Sequence, residues 1–256
     1  MKVLILAGGY GSRLSEETDL KPKPMVEVGG KPIIWHIMKN YSYYGYNEFI
    51  ILCGYKGYLI KEYFFNYYLH HNDISVDLIE NKTILLHNSA EPWKVTLIDT
   101  GLDTMTGGRI KRAEKYIGNE PFMISYGDCV ADVNIKSLFD FHKSHGKFMT
   151  LTSSQPEGRF GALDIEANNK VSKFLEKPKG DGAWINAGYF VCEHEVFNYI
   201  EGDDTVLEHT PLEKLAGEGQ LYTYKHSGFW HPMDTLRDKN ALNKMWNSGI
   251  VPWKVW

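Results

Sequence analysis

Val3 to Ala7 (VLILA) is an unbroken apolar run that stops at Gly8 and Gly9, the pattern of a parallel strand covered on both faces. Lys31 to Tyr43 carries Pro32 at its start and Ile33, Ile34, Ile37, Met38 and Tyr41 at helical spacing, which predicts a helix. Glu48 to Cys53 (EFIILC) predicts a second buried strand, and Leu59 to His70 an amphipathic helix rich in Tyr and Phe. Val76 to Glu80 and Trp93 to Asp99 (WKVTLID) predict a third and a fourth strand. Thr106 opens a helix through Lys115, and Pro121 to Ser125 (PFMIS) predicts a buried strand ending at Tyr126-Gly127-Asp128.

Alternation of strands and helices to this point means right-handed βαβ units on a mainly parallel sheet. Beyond Asp132 the texture changes. A helix is expected over Ile135 to His145, then closely spaced strands at Met149 to Ser153, Ala162 to Ile165, Val171 to Glu176 and Ala187 to Cys192. This half is expected to be more antiparallel. Leu236 to Trp246 reads as a helix, and the apolar tail Val251-Pro252-Trp253-Lys254-Val255-Trp256 must pack on the body or on another subunit. The expected fold class is α/β: a Rossmann-like, mainly parallel mixed sheet flanked by helices, with a smaller antiparallel portion.

The 256 residues fit one large α/β domain or a domain with appendages. A net charge of −4 argues against non-specific binding of nucleic acid or anionic membrane. Basic residues near the N-terminus are therefore read as local ligand groups. Cys53, Cys129 and Cys192 are widely spaced and form no C-x-x-C, so neither a zinc knuckle nor a disulfide framework is expected. The apolar stretch after Lys2 is too short for a signal peptide, and no run of about 18 apolar residues exists. A reducing cytoplasm is the expected location.

Chemistry concentrates at the end of the first strand. Gly8, Gly9 and Gly11 remove side chains that would keep a phosphate from backbone N–H groups. Arg13 adds a planar cationic fork, and Lys21-Pro22-Lys23-Pro24-Met25 adds two cations on a stiffened segment. The set suggests handling of a nucleoside triphosphate; a glycine-rich turn without a ligand is the plainer reading. The dinucleotide fingerprint fails, because Leu14 stands where its last Gly or Ala belongs. The Walker A pattern fails at Pro32 after Gly30-Lys31, with Met25 in place of its first Gly.

Asp128 ends a buried strand at the carboxyl edge of the sheet, where a carboxylate suits Mg²⁺; a turn or helix-cap role is the alternative. Asp132 reads as a loop or cap residue. Asp234, on the turn Gly228-Phe229-Trp230-His231-Pro232-Met233, either caps the following helix or completes a magnesium site with Asp128. Glu176-Lys177-Pro178 offers an anion-holding lysine and a hydroxyl acceptor, or a surface charge pair. Arg159-Phe160-Gly161-Ala162 and Ile185-Asn186-Ala187-Gly188 offer glycines and an amide suited to a sugar. His142 and His145 lack a third ligand in sequence, so zinc is not expected. No G-x-S-x-G or Cys–His arrangement offers a nucleophile. The aromatic residues between Tyr41 and Tyr68 read as core or subunit interface.

Leu6-Ala7-Gly8-Gly9-Tyr10-Gly11-Ser12-Arg13-Leu14 together with Lys21-Pro22-Lys23-Pro24-Met25 resembles the signature of the sugar-1-phosphate nucleotidyltransferases. Tyr126-Gly127-Asp128, Phe160-Gly161, Glu176-Lys177-Pro178, Asn186-Ala187-Gly188 and Trp230 to Asp234 follow in the family's order, so the resemblance spans essentially the whole chain. Thr106-Gly107-Gly108-Arg109 and Thr235 depart from the thymidylyl and uridylyl members and resemble the cytidylyl branch, as do Cys53-Gly54-Tyr55-Lys56-Gly57 and Glu91-Pro92-Trp93.

The resemblance implies CTP and glucose 1-phosphate as partners, Mg²⁺ as cofactor, and in-line attack without a covalent intermediate. It implies catalytic roles for Arg13, Lys23, Asp128 and Lys177, and metal ligation by Asp128 and Asp234. Nucleotide binding would involve Leu6, Ala7, Gly8, Gly9, Gly11, Ser12, Arg13, Lys23, Thr106, Arg109, Gly127 and Asp128. Arg109 would address cytosine O2 and N3, or stand as a solvated helix-start charge. Sugar-phosphate binding would involve Gly161, Glu176, Lys177, Asn186 and Gly188. It implies one domain over 1–256: a nucleotide half (1–132), a sugar-phosphate half (133–235) and a C-terminal helix and tail (236–256). A homo-oligomer is also implied, a hexamer among its forms. The nearest alternative is a nucleotidyltransferase using another nucleotide or another phosphorylated acceptor, and two other classes stay open. A binding protein without catalysis is countered by the joint presence of Lys23, Asp128, Lys177 and Asp234. An NAD-dependent oxidoreductase is countered by Leu14.

Overall fold

The computed structural model describes residues 1–86, 90–156, 158, 161–167, 169–176, 179 and 183–256. Its centre is a seven-stranded sheet: β1 (Val3–Ala7), β2 (Glu48–Cys53), β3 (Lys94–Asp99), β4 (Phe122–Tyr126), β5 (Met149–Ser154), β6 (Ile185–Cys192) and β7 (Leu221–His226), in the order β7-β5-β6-β4-β1-β2-β3. Helices α1 (Ile33–Tyr43), α2 (Gly57–Phe65), α3 (Thr106–Ile117), α4 (Ile135–His145), α5 (Thr210–Gly217) and α6 (Leu236–Ser248) accompany it.

The first strand explains its own composition. Val3, Ile5 and Ala7 belong to one buried cluster, with Ile33, Ile34 and Ile37 of α1. Leu4 belongs to a second, with Ile50, Leu52, Ile110 of α3 and Phe122. Side chains alternate across a strand, so a strand covered on both faces is apolar at every position. β1 runs parallel to β2 on one side and to β4 on the other.

The expected third strand is not part of this sheet. Ile74–Asp77 pairs antiparallel with Lys82–Leu85 in a separate ribbon whose residues are all exposed. Its turn is set by local chemistry: the Asp77 carboxylate accepts from the N–H groups of Ile79 (2.9 Å) and Glu80 (3.0 Å), and Asn81 takes φ +51°. A short apolar alternation reads alike in a ribbon and in a sheet. The helix expected over Leu59 to His70 breaks at Asn66 and resumes over Tyr67–His71. α1 starts after Pro32, because Lys31–Pro32 pairs with Glu27–Val28.

The second half is more antiparallel than the first, as expected. β6 is antiparallel to β4 and to β5, while β5 and β7 run with the first four strands. Two further antiparallel pairs lie outside the central sheet: a ribbon, Ala162–Ile165 with Val171–Leu175, and a short pair, Cys129–Ala131 with Trp230–Pro232. α4 has its expected bounds because its ends are well marked. The Asn134 side chain accepts from Ser137 N–H (2.9 Å) at one end, and Gly146 sits in the left-handed region at the other.

The apolar tail packs on its own chain: Trp253 is buried and its ring faces His36. Among the described residues no helix is long and apolar enough to cross a membrane.

Candidate active site

The strand order reverses at β1. β2 lies on one side and β4, much later in the chain, on the other, so the loops leaving β1 and β4 diverge and open a crevice at the carboxyl edge. A cleft of about 560 Å³ lies there. Its lining comprises Leu6 to Arg13, Lys23, Pro24, Leu102 to Thr106, Arg109, Tyr126, Gly127, Asp128 and Glu208. All twelve expected nucleotide-binding residues therefore face it.

The glycines of this cleft are spatial requirements. Gly11 has φ +67°, and a Cβ there would stand 2.8 Å from Thr18 Cγ2. At Gly127 a Cβ would meet the Leu6 carbonyl oxygen at 2.4 Å, which a strand backbone cannot yield. We expect Gly127→Ala to cost about 1–3 kcal/mol of stability and to displace Asp128, lowering turnover. A urea unfolding midpoint equal to the parent's would contradict this.

Lys23 holds the centre. It sits in a short 3₁₀ turn between Pro22 and Pro24 and is almost buried. Its ammonium lies 2.7 Å from Asp128 Oδ2 and 2.6 Å from Asp234 Oδ1. Arg13 Nη1 reaches Asp234 Oδ2 at 2.9 Å. Burial pulls the Lys23 pKa down, but the two carboxylates outweigh it and leave the pKa above the ordinary lysine value.

The two aspartates are brought together by the short pair Cys129–Ala131 with Trp230–Pro232, extended by Met233 N–H donating to the Asp128 carbonyl at 2.8 Å. Asp234 is not a helix cap. Thr235 caps α6 in a reciprocal box with Asp238, so the Asp234 carboxylate is directed to Lys23 and Arg13 instead. Asp132 stands outside this group, 3.0 Å from His226 Nε2.

Two carboxylates converging on one cation suit Mg²⁺, which binds through one or two carboxylates and completes its shell with phosphates and water. Among the described residues no group of three or more His, Cys, Asp or Glu side chains is arranged to hold a metal ion. His142 and His145 both bond the Thr150 hydroxyl, at 2.8 and 2.7 Å.

Arg109 is not a solvated charge. It is 5% exposed, and its guanidinium donates to Thr100 Oγ1 (2.7 Å) and to the carbonyls of Gly101 (2.7 Å) and Leu102 (3.0 Å). It lies against Gly8 and Gly54, where any Cβ would collide with it. Gly107 and Gly108 have a packing reason: a Cβ would strike Thr205 O at 2.7 Å or Asp203 O at 2.5 Å, so both admit the 203–205 segment against α3.

On the other side of the cleft, Tyr126 joins several expected residues. Its hydroxyl donates to Glu208 and accepts from Asn186 Nδ2 at 3.0 Å, and its ring packs against Gly188. Thr106 Oγ1 also donates to Glu208, at 2.6 Å. Glu208 has no signal in the sequence, since it belongs to none of the motifs there and precedes the N-cap of α5. Tyr10, which the signature contains without a role of its own, and Asp103, which has no sequence signal, are two further lining residues, bonded to each other at 3.0 Å. Gly161 and Glu176 face one another, since a Cβ at Gly161 would stand 3.3 Å from Glu176 Oε2, and neither belongs to the cleft's lining. Lys177, with Arg159, Phe160 and Pro178, lies outside the described residues.

The family model described as nucleotidyl transferase matches residues 2–231. The glucose-1-phosphate cytidylyltransferase of Salmonella typhi is 58% identical, with all of both chains covered. The mannose-1-phosphate guanyltransferase of Saccharomyces cerevisiae is 31% identical over 95% of this chain and 63% of its own length. The crystal structure of HddC from Yersinia pseudotuberculosis superposes with a TM-score of 0.70 at 24% identity, covering 96% of this chain and 99% of that one, which shows a shared fold. With a glycine loop, a lysine between two aspartates and full-length similarity of this order, the chain belongs to the nucleotidyl transferase family.

Proposed function

We propose that the protein transfers the cytidylyl group of CTP to glucose 1-phosphate, giving CDP-glucose and pyrophosphate. The observation that carries this reading is the convergence of Arg13, Lys23, Asp128 and Asp234 at the glycine-loop cleft. The full-length 58% identity to a glucose-1-phosphate cytidylyltransferase supports the choice of nucleotide and acceptor.

A phosphate oxygen of glucose 1-phosphate attacks the α-phosphorus of CTP; that P–O bond forms as the bond to the β-phosphate oxygen breaks, and pyrophosphate leaves. No protein atom bonds to the substrate, so positioning and charge neutralisation supply the rate. Arg13 and the loop Gly8 to Ser12 hold the triphosphate and the departing pyrophosphate. Lys23 neutralises charge at the α-phosphate, and Lys177 offsets the sugar phosphate so that two anions can meet. Asp128 and Asp234 would hold Mg²⁺, which would supply charge neutralisation to the reacting phosphates. Glu176, Asn186 and the backbone at Gly161 and Gly188 face the glucose hydroxyls.

This reading takes 1–256 as one domain, with a nucleotide half to about 132, a sugar-phosphate half to about 235 and the C-terminal helix and tail beyond. It also places the protein in the cytoplasm as a homo-oligomer, which the exposed apolar side chains of the Ile74–Leu85 ribbon support.

The test is pyrophosphate release with Mg²⁺ and glucose 1-phosphate, with CTP, UTP, dTTP, GTP and ATP offered separately. Release with CTP alone is expected. Release mainly with UTP or dTTP would overturn the base assignment, and no release with any of them would overturn the reaction.

A further inference from the structure

Asp128 and Glu208 are both carboxylates on the lining of the cleft. Asp128 is offset by Lys23 at 2.7 Å. Glu208 pairs with no cation among the described residues, and its two oxygens accept from two hydroxyls instead. Oε2 accepts from Thr106 Oγ1 at 2.6 Å, and Oε1 accepts from the Tyr126 hydroxyl.

Each hydroxyl carries a single hydrogen, so its direction is decided by its other partner. Asn186 Nδ2 can only donate. It lies 3.0 Å from the Tyr126 oxygen, so that oxygen accepts and its hydrogen is left for Glu208. Burial first, and then the Glu208 carboxylate, push the Tyr126 pKa up, so the hydroxyl keeps its hydrogen. Leu207 N–H donates to Thr106 Oγ1 at 2.9 Å, which commits that hydroxyl to Glu208 in the same way. The Asn186 amide is held at both ends. Its Oδ1 accepts from Gly188 N–H at 2.9 Å, and its Nδ2 gives one hydrogen to Tyr126. The second Nδ2 hydrogen has no acceptor among the described residues. The Tyr126 ring is fixed as well, since a Cβ at Gly188 would stand 2.6 Å from its Cδ2.

We propose that Glu208 is a positioning residue for the acceptor sugar. Acting through the Tyr126 hydroxyl, it keeps the Asn186 amide turned so that its remaining N–H meets a glucose hydroxyl. This rests on the reading above, in which Asn186 faces the sugar. Without Glu208 the Tyr126 hydrogen has no acceptor, the hydroxyl is free to turn, and the amide loses its fixed partner. Glu208 acts at one remove and is not itself a sugar ligand.

The experiment measures kcat and the KM values for CTP and glucose 1-phosphate in the parent, Glu208→Ala, Glu208→Gln, Tyr126→Phe and the double variant of Glu208→Ala with Tyr126→Phe. Thermal unfolding is recorded for each. Glu208→Ala and Tyr126→Phe are each expected to raise KM for glucose 1-phosphate about 10-fold, the worth of one hydrogen bond to a charged group. The value of kcat and the KM for CTP should stay within about threefold. The double variant is expected at about 10-fold as well, not about 100-fold, because both changes break one chain of bonds. Glu208→Gln retains an acceptor for Tyr126 and should return KM to within about threefold of the parent.

Additive effects in the double variant would overturn the proposal, by showing two independent losses. A Glu208→Gln as impaired as Glu208→Ala would also overturn it, by assigning the effect to charge. If Glu208→Ala does not fold, Tyr126→Phe decides, since it keeps the ring against Gly188: an unchanged KM for glucose 1-phosphate there overturns the proposal. A parent that releases no pyrophosphate from CTP and glucose 1-phosphate would instead fail the reading on which the proposal rests.

Discussion

Lys23→Ala is expected to lower turnover by roughly 10²- to 10³-fold, about 3–4 kcal/mol of transition-state stabilisation, with secondary structure retained. The lysine is placed by two prolines and nearly buried, so its position is set before substrate arrives. It is the common partner of Asp128 (2.7 Å) and Asp234 (2.6 Å), and its removal leaves two carboxylates facing each other, with Arg13 still on Asp234. A divalent cation relieves that repulsion. Mg²⁺ should therefore raise the melting temperature of Lys23→Ala more than that of the parent, an effect readable without substrate. Turnover within threefold of the parent would remove Lys23 from the reaction. Equal responses to Mg²⁺ would remove the two carboxylates from the metal site.

Acidification should cost the fold about 2 kcal/mol by pH 5 and about 3 kcal/mol near pH 4 through His36 alone. His36 is 1% exposed, and burial pushes its pKa down to about 4. Its hydrogen bonds fix the neutral form. Nε2 lies 2.9 Å from the Val28 carbonyl, which can only accept, so Nε2 carries the hydrogen. Nδ1 accepts from Trp253 Nε1–H at 3.3 Å. A second proton would set two donors against each other inside an aromatic cluster that includes Trp246 and Trp253.

The sign follows from the two pKa values. The unfolded histidine titrates near 6.5 and the folded one near 4, so between those values the unfolded chain binds the extra proton and stability falls as pH falls. His142, also pushed to about 4 by burial, adds in the same direction. Its share is comparable, since burial lowers both histidines to about the same value. Urea titrations at pH 7, 5 and 4 measure the slope. His36→Gln, which keeps a donor and an acceptor but does not titrate, should flatten it; an unchanged slope would reassign the effect to other groups.

Much of the architecture is legible in the residue pattern. β1, β2 and α4 lie where the apolar runs and caps put them, because burial on both faces and local hydrogen bonds leave a short-range trace. The strand at Ile74–Asp77 pairs outside the central sheet, which its pattern does not reveal, because alternation reports a strand without naming its partner. β7 has no such trace: Leu221–His226 mixes Tyr, Thr and Lys on a half-exposed edge and has no apolar run to announce it.

The phosphate end of this protein is written in its local sequence. Gly8, Gly9, Gly11, Arg13 and Lys23 are close along the chain, and their spacing is already a loop with cations on it. How distant residues meet was settled by folding alone. The fold put Asp234 beside Asp128 through a two-strand pair and released it from capping α6 by giving that task to Thr235. It buried Arg109 under Gly8, drew Glu208 to Thr106 and Tyr126, and set Asp103 against Tyr10. The physical reason is one of range: backbone preference and hydrophobic period act over a few residues of chain. Hydrogen bonds and ion pairs act over a few ångströms of space and depend on which segments the sheet brings together.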